Sequence, residues 1–221
     1  MFICDTHCDT VSELYKNDVD FFANKQHIDV ERIIKNGGGL QFCALFIPTE
    51  QFRYYGGIRY TLILLDKYKT ELKKLAARGV DVHPILTRTD AAAALQHQFN
   101  PLLAIEEGGA LDGSLAALRL FYELGVRAMT LVWSNRNDIA DGVNEDCTKG
   151  GLTTFGRQVV AEMNKLGMAV DVSHMSTYGF WDTLDTSSKP IIATHSNAFS
   201  LCDHPRNLND EQIKALGKNN G

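Results

Sequence analysis

Residues 2–11 read FICDTHCDTV, and this opening stretch decides between the two folds that the rest of the sequence leaves open. Its first half is apolar enough for a buried strand, and it continues into CDTV rather than into a glycine-rich turn. A dinucleotide-binding fold needs such a turn after its first strand, so that the backbone can approach a phosphate. The stretch therefore argues against an open doubly wound sheet and favours a βα barrel, in which polar residues end several strands.

Short apolar runs alternate with segments of helical period along the chain. The runs are apolar on both alternating faces, which predicts a parallel sheet covered on two sides. Leucines at helical spacing predict helices that end at Gly79, Gly125 and Gly167. Outside this alternation, residues 80–86 are predicted to form a short extra strand, followed by an Ala-rich helix capped by Thr89. The main predicted strands are Phe2–Cys8, Leu40–Ile47, Leu102–Glu107, Val126–Trp133, Met168–His174 and Ile191–Ser196.

The strand count falls short of a closed barrel, which has eight βα units. The chain stops at Asn220-Gly221 directly after a helix, whereas each earlier helix-to-strand junction used a glycine followed by an apolar run. This end is expected to be a junction whose strand is missing. The predicted fold is α/β, a TIM-like (β/α) barrel with about six of its eight units, forming one domain over residues 1–221.

Composition narrows the class of protein. The chain has 221 residues, 44% of them hydrophobic, and a formal charge of −5, which is typical of a globular protein. There is no basic cluster that would bind nucleic acid, and no apolar run approaches the ~20 residues of a membrane span. Five cysteines without a CxxC pair favour a reducing compartment. A cytoplasmic protein is therefore expected.

Histidines and carboxylates stand where the predicted strands end. His7 and Asp9 are two residues apart, so in a strand they share a face. His174 and His195 end two further strands. A barrel brings the carboxyl ends of its strands to one rim, so these side chains are expected to point at a common centre.

Two adjacent glutamates, Glu106 and Glu107, end the strand 102–107 before two glycines. Strand alternation lets only one of them face inward at a given depth, and spacing does not decide which. Imidazole and carboxylate ligands suit zinc, and the absence of clustered cysteines excludes a structural thiolate site. Five ligands are too many for one tetrahedral ion with an open position, but they suffice for two ions of a binuclear hydrolase.

Several segments together are similar to the motifs of a known family, the membrane (renal) dipeptidase family of zinc metallopeptidases and its bacterial relatives. The resemblance runs from the first residues to the last, in the same order and strand by strand. The segments are DTHCD at 5–9, EGG at 107–109, DVSHMS at 171–176, THSNA at 194–198 and CDHPRN at 202–207.

The resemblance implies a role for each of these residues. His7 and Asp9 would hold one zinc ion, His174 and His195 the other, and Glu107 would bridge the two as the catalytic carboxylate. Arg206 would bind the free carboxylate of the substrate. The implied activity is hydrolysis of dipeptides with a free C-terminal carboxylate, by a hydroxide that bridges two zinc ions.

Two departures from the family pattern leave alternatives open. The stretch Leu131–Asn137 lacks the histidine that polarises the scissile carbonyl in mammalian members, and the family's acid-base aspartate on its eighth strand has no counterpart in this sequence. One alternative is therefore a truncated barrel that binds metal without turnover and self-associates through its open edges. The other is a binuclear amidohydrolase of a different type, although such sites commonly use HxH and a carboxylated lysine.

Overall fold

A computed structural model describes residues 1–48, 51 and 56–221 of the chain. Its centre is one sheet of six parallel strands that neighbour each other in sequence order, and it forms a half-barrel. The predicted parallel α/β architecture is confirmed. The strands are β1 Ile3–Cys8, β2 Gly39–Phe46, β3 Phe99–Glu106, β4 Val126–Thr130, β5 Ala169–Asp171 and β6 Ile191–Ile192.

Helices connect successive strands, as expected for parallel neighbours. The longest helix, α3, begins at Gly57 and ends at Ala77, directly before the turn at Gly79. The helices are α1 Thr10–Asn17, α2 Val30–Lys35, α3 Gly57–Ala77, α4 Arg88–Ala93, α5 Leu115–Glu123, α6 Thr154–Leu166, α7 Thr177–Thr186 and α8 Asp210–Lys218.

The last two strands are shorter than the sequence predicted. β5 ends at Asp171, where the side-chain Oδ1 accepts hydrogen bonds from the backbone N–H groups of Ser173 and Thr194. These bonds turn both strand ends away from the ladder, because the amides then pair with a side chain instead of a neighbouring strand. The chain reaches His174 and His195 as loop residues.

Residues 80–86 do not form the predicted extra strand. They run beside the start of β3, where Val82 makes an isolated bridge to Phe99 and the backbone N–H groups of His83 and Ile85 donate to the backbone oxygens of Phe99 and Pro101. The predicted cap of the following helix was also wrong, since Thr87 rather than Thr89 occupies the N-cap position. Thr87 accepts from the backbone N–H of Asp90, whose carboxylate in turn accepts from Thr87, and this reciprocal capping box fixes where α4 begins.

The core lies between the sheet and the helices that cover it. On α5 and α6, for example, Leu118, Phe121, Val159 and Met163 are at most 2% exposed and belong to one continuous apolar cluster with the strands. Burial of these faces holds the helices against the outer side of the sheet. The carboxyl ends of the strands and the loops that follow them are thereby brought together at one rim.

Candidate metal centre

Three imidazoles surround one buried carboxylate at the carboxyl end of the sheet. The carboxylate is that of Glu106, whose side chain is 4% exposed. Its Oε2 lies 3.4 Å from Nε2 of His7. Its Oε1 lies 3.2 Å from Nε2 of His174 and 3.4 Å from Nε2 of His195. The two oxygens therefore face different histidines, and the cluster has two sides.

The fold brings these side chains together from four separate strands. His7 lies within β1 and Glu106 is the last residue of β3, whereas His174 and His195 lie in the loops after β5 and β6. The His7 and His195 rings stack with their centroids 3.8 Å apart. The backbone of His174 has a φ of +69°, a left-handed conformation that is uncommon outside glycine. Local sequence does not favour this conformation, so the surrounding contacts hold it.

Asp9 lies on the His7 side of the cluster. Its Oδ1 is 3.6 Å from Nε2 of His7, and its side chain is 52% exposed. Asp9 occupies the N-cap position of α1 without accepting a side-chain capping bond from the helix. Its carboxylate is therefore free of the usual structural role of an aspartate at this position.

The electrostatics of the cluster are dominated by Glu106. Burial opposes its charge, but contacts with His174, His195 and His7 outweigh burial and hold the pKa of this carboxyl below its usual range. Burial also acts to lower the pKa of His7, yet hydrogen bonds to Asp9 and Glu106 raise it to about 10. Burial lowers the pKa of His174 despite its contact with Glu106.

Glu107 points to a different set of partners. Its Oε1 accepts hydrogen bonds from the backbone N–H of Gly109 at 2.8 Å and from the side-chain amide of Asn137, and its Oε2 accepts from the backbone N–H of Trp133 at 2.5 Å. Burial raises its pKa, and these hydrogen bonds only partly offset that effect. The carboxylate thus anchors the loop after β4.

The structure therefore does not support the choice of Glu107 over Glu106 as the bridging carboxylate. Glu106 ends β3 and faces the histidines, whereas the next residue turns out of the strand with a φ of +89°. Alternation already required the two side chains to differ in direction. The family motif favoured the glutamate next to the glycines, and this backbone turn places the other one at the centre.

Arg206 lies beside the histidine of the β6 loop. Its Nη1 donates to Oγ of Ser196 at 2.8 Å and its Nη2 donates to the backbone oxygen of His195 at 2.7 Å. Burial lowers the pKa of this guanidinium, while the charges of Asp171 and Glu106 act to raise it. A guanidinium has five N–H donors, so donors remain for a ligand.

The donor set fits a divalent zinc ion. One ligand atom each of His7, Glu106 and His195 lie within 4.8 Å of one another. Imidazole nitrogen and carboxylate oxygen are ligands that zinc accepts, and His174 and Asp9 extend the set on either side.

Sequence reasoning did not single out Asn137 or Trp133, which hold Glu107 in place. Their contacts join residues 30 and 26 positions apart, so no local spacing signals them. The Trp133 ring also lies 6.0 Å from the ring of His174 and 5.2 Å from that of Phe46, centroid to centroid. Aromatic rings thus lie beside the cluster, and Trp133 belongs to the stretch in which mammalian members of the family have a histidine.

A parallel half-barrel with imidazoles and a buried carboxylate at its carboxyl rim defines the class of protein, an α/β-barrel protein with a candidate metal centre. More particularly, the family model described as membrane dipeptidase (Peptidase family M19) matches residues 1–221, so the chain belongs to that family. The family predicted from the motifs is confirmed.

Known relatives and solved structures agree with this assignment. The chain is 37% identical over 194 residues to Dipeptidase 3 of Mus musculus, covering 83% of this chain and 37% of that protein. It is 31% identical over 203 residues to Dipeptidase aclJ of Aspergillus oryzae, covering 88% of this chain and 47% of that protein. The chain thus spans half or less of the length of these two relatives.

A metallo peptidase from Rhodobacter sphaeroides, liganded with a phosphinate mimic of the dipeptide L-Ala-D-Ala, has the same fold with a TM-score of 0.84 and 25% identity. The match covers all of this chain and 72% of that one. Separately, among residues 1–48, 51 and 56–221, none of the helices is both long and apolar enough to cross a membrane.

Proposed function

We propose that this protein is a zinc-dependent dipeptidase whose site holds two zinc ions, with Glu106 rather than Glu107 as the bridging ligand. The observation that carries the proposal is the division of the Glu106 carboxylate, with Oε2 toward His7 and Oε1 toward His174 and His195. A carboxylate with one oxygen on each side suits a pair of ions that share it.

The remaining ligands divide in the same way. Asp9 accompanies His7 on one side, and the Nε2 atoms of His174 and His195 lie 2.9 Å apart on the other. When bound, two zinc ions supply Lewis-acid polarisation of a carbonyl and a water whose pKa is near ~7. The protein residues contribute a buried carboxylate at the centre and three histidines whose side chains are 12–24% exposed.

Arg206 is the proposed anchor for the substrate. A guanidinium binds a carboxylate through two parallel hydrogen bonds, which favours dipeptides with a free C-terminal carboxylate. The bonds from Arg206 to His195 O and Ser196 Oγ fix the guanidinium next to a proposed ligand, so a bound carboxylate would lie close to the reacting centre.

Metal analysis combined with hydrolysis of a dipeptide panel tests the proposal. We expect two zinc ions per chain, hydrolysis of free dipeptides, and little hydrolysis of the same dipeptides as C-terminal amides. Glu106→Gln is expected to lose zinc and activity. Glu71→Gln is the matched control, since Glu71 is a buried glutamate paired with Lys67 and Lys74 on α3, away from the site.

Two outcomes would contradict the proposal. Zinc-free protein after purification and reconstitution in zinc would exclude the metal centre. Zinc binding without hydrolysis of any dipeptide would instead favour the alternative of a metal-binding domain without turnover.

We also propose a cytoplasmic location and self-association. All five cysteines are free, which suits a reducing compartment. In the part of the chain that is described, β1 pairs with one neighbour and leaves an open sheet edge, which favours pairing with a second copy, whereas the outward N–H of Ile191 on β6 already donates to Oδ1 of Asn219 at 2.7 Å. Cell fractionation tests the first statement and sedimentation analysis the second; a monodisperse monomer would contradict self-association.

A further inference from the structure

Behind the candidate metal centre lies a buried carboxylate that accepts only from neutral donors. Asp171 is 2% exposed and its Oδ1 accepts from the backbone N–H groups of Ser173 at 2.9 Å and Thr194 at 3.1 Å. Its Oδ2 accepts from the hydroxyl of Thr130 at 2.7 Å and that of Thr194 at 2.5 Å. The carboxylate is the acceptor in all four contacts.

The Thr194 hydroxyl has one proton and two close neighbours, with the Ser173 hydroxyl farther away at 3.4 Å. Its Oγ1 lies 2.5 Å from Oδ2 of Asp171 and 2.7 Å from Nδ1 of His195. The Thr194 hydroxyl donates to Oδ2 of Asp171, so its single proton lies on that side. Thr194 Oγ1 is then left with lone pairs for His195, and Nδ1 of His195 must be the nitrogen that has the hydrogen.

This proton arrangement determines which ring nitrogen of His195 has a free lone pair for a metal ion. A neutral imidazole protonated at Nδ1 has a bare Nε2, which is the atom that lies 3.4 Å from Glu106 Oε1 and 2.9 Å from His174 Nε2. Stacking on His7 fixes the plane of the ring, and the His195 backbone N–H donates to Ser173 Oγ at 3.1 Å. Orientation and tautomer are thus set by different contacts.

We propose that Asp171, acting through Thr194, is a positioning pair that holds His195 in the tautomer able to bind metal through Nε2. The inference rests on the proposed function in taking His195 as a zinc ligand. It assigns a role to two residues that contribute no ligand atom themselves. Partners of this kind are typically worth about 10–100-fold in metal affinity.

The decisive variant is Asp171→Asn. Its oxygen is expected to keep the two backbone N–H bonds, which places the amide NH₂ opposite the hydroxyls of Thr130 and Thr194. Thr194 is then expected to accept from the amide and to donate its own proton to Nδ1 of His195, which at 2.7 Å is closer than Ser173 Oγ at 3.4 Å. The expected result is the opposite tautomer, with hydrogen on Nε2, and zinc affinity lower by about 10–100-fold.

Two threonine variants and one control separate this role from simple packing. Thr194→Val removes the hydroxyl and is expected to weaken zinc binding by about 10–100-fold, whereas Thr194→Ser restores it. Thr61→Val is the control, because the Thr61 hydroxyl also donates to an oxygen, Gly57 O at 2.8 Å within α3, and Thr61 is buried far from the histidines in the fold. It is expected to leave zinc affinity unchanged.

The first readout is the ¹⁵N chemical shifts of the His195 ring in metal-free protein, recorded at a pH at which the ring is neutral. The second is zinc affinity, measured by chelator competition. Hydrogen on Nε2 in the unmodified protein would overturn the proposal, as would an Asp171→Asn protein with unchanged tautomer and affinity. If the unmodified protein binds no zinc, the proposed function fails, but the ring shifts still decide the tautomer. If Thr194→Val does not fold, Asp171→Asn and Thr194→Ser retain the test.

Discussion

The same Glu→Gln substitution is predicted to affect stability at one of the two adjacent glutamates at the end of β3 and zinc affinity at the other. Glu107→Gln is expected to lower the free energy of unfolding and to leave zinc affinity unchanged. Glu106→Gln is expected to lower zinc affinity by more than the ~100-fold that supporting residues reach, since it removes an atom that faces the metal centre directly.

The size of the Glu107 effect follows from its hydrogen bonds. Glutamine has one acceptor oxygen, while Glu107 accepts from Gly109 N and Asn137 Nδ2 on one oxygen and from Trp133 N on the other. In its best orientation the new oxygen keeps the first two donors, and its NH₂ group faces the N–H of Trp133, a partly buried residue. One buried donor left unpaired costs about 1–3 kcal/mol. Loss of the buried charge offsets part of this cost, because burial already raises the pKa of Glu107.

Urea denaturation followed by circular dichroism measures the stability change, and chelator competition measures zinc affinity on the same preparations. Both variants are compared in the zinc-free state, so that metal binding does not contribute to the unfolding free energy. Loss of zinc binding in Glu107→Gln, with retention in Glu106→Gln, would refute the assignment of the two side chains.

Three further predictions concern the support of the site. Gly108→Ala is expected to destabilise the protein by about 1–3 kcal/mol in urea denaturation, because a Cβ there would meet Ile139 Cδ1 at 2.4 Å and the backbone oxygen of Leu131 at 2.6 Å; an unchanged midpoint would contradict it. Burial acts to raise the pKa of Asp141, but the contact with Arg136 outweighs it and holds this pKa below the ordinary value of 3.8. The ionised Asp141 should therefore stabilise the folded protein above pH 3.8, and this stabilisation should be lost as the pH falls through the lower folded-state pKa. Asp141→Asn should therefore cost more stability at pH 6 than at pH 3, and an equal cost would count against this pairing. Zinc at ~100 times its dissociation constant should add about 2.7 kcal/mol to the unfolding free energy for each bound ion, and a chelator should remove it. Thermal melts with and without chelator check this, and identical melts would contradict zinc binding to the folded state.

Several features of the centre were predictable because they depend on strand ends, which leave a clear local pattern. His7, His174 and His195 each follow an apolar run, and the parallel order of the strands brings such ends to one rim. The lengths of β5 and β6 were not predictable in this way. Both strands end early because the Asp171 carboxylate accepts hydrogen bonds from backbone N–H groups in two different loops. One of these N–H groups belongs to Thr194, which is 23 positions away.

The sequence by itself determined the alternation of strands and helices, the family, and the set of candidate metal ligands, because periodicity and motif spacing are local properties of the chain. Only the tertiary structure decided which glutamate faces the histidines and which carboxylate is joined to His195 through the Thr194 hydroxyl. Those outcomes depend on a single backbone turn at Glu107 and on hydrogen bonds between residues 23 to 30 positions apart, and spacing along the chain does not encode either.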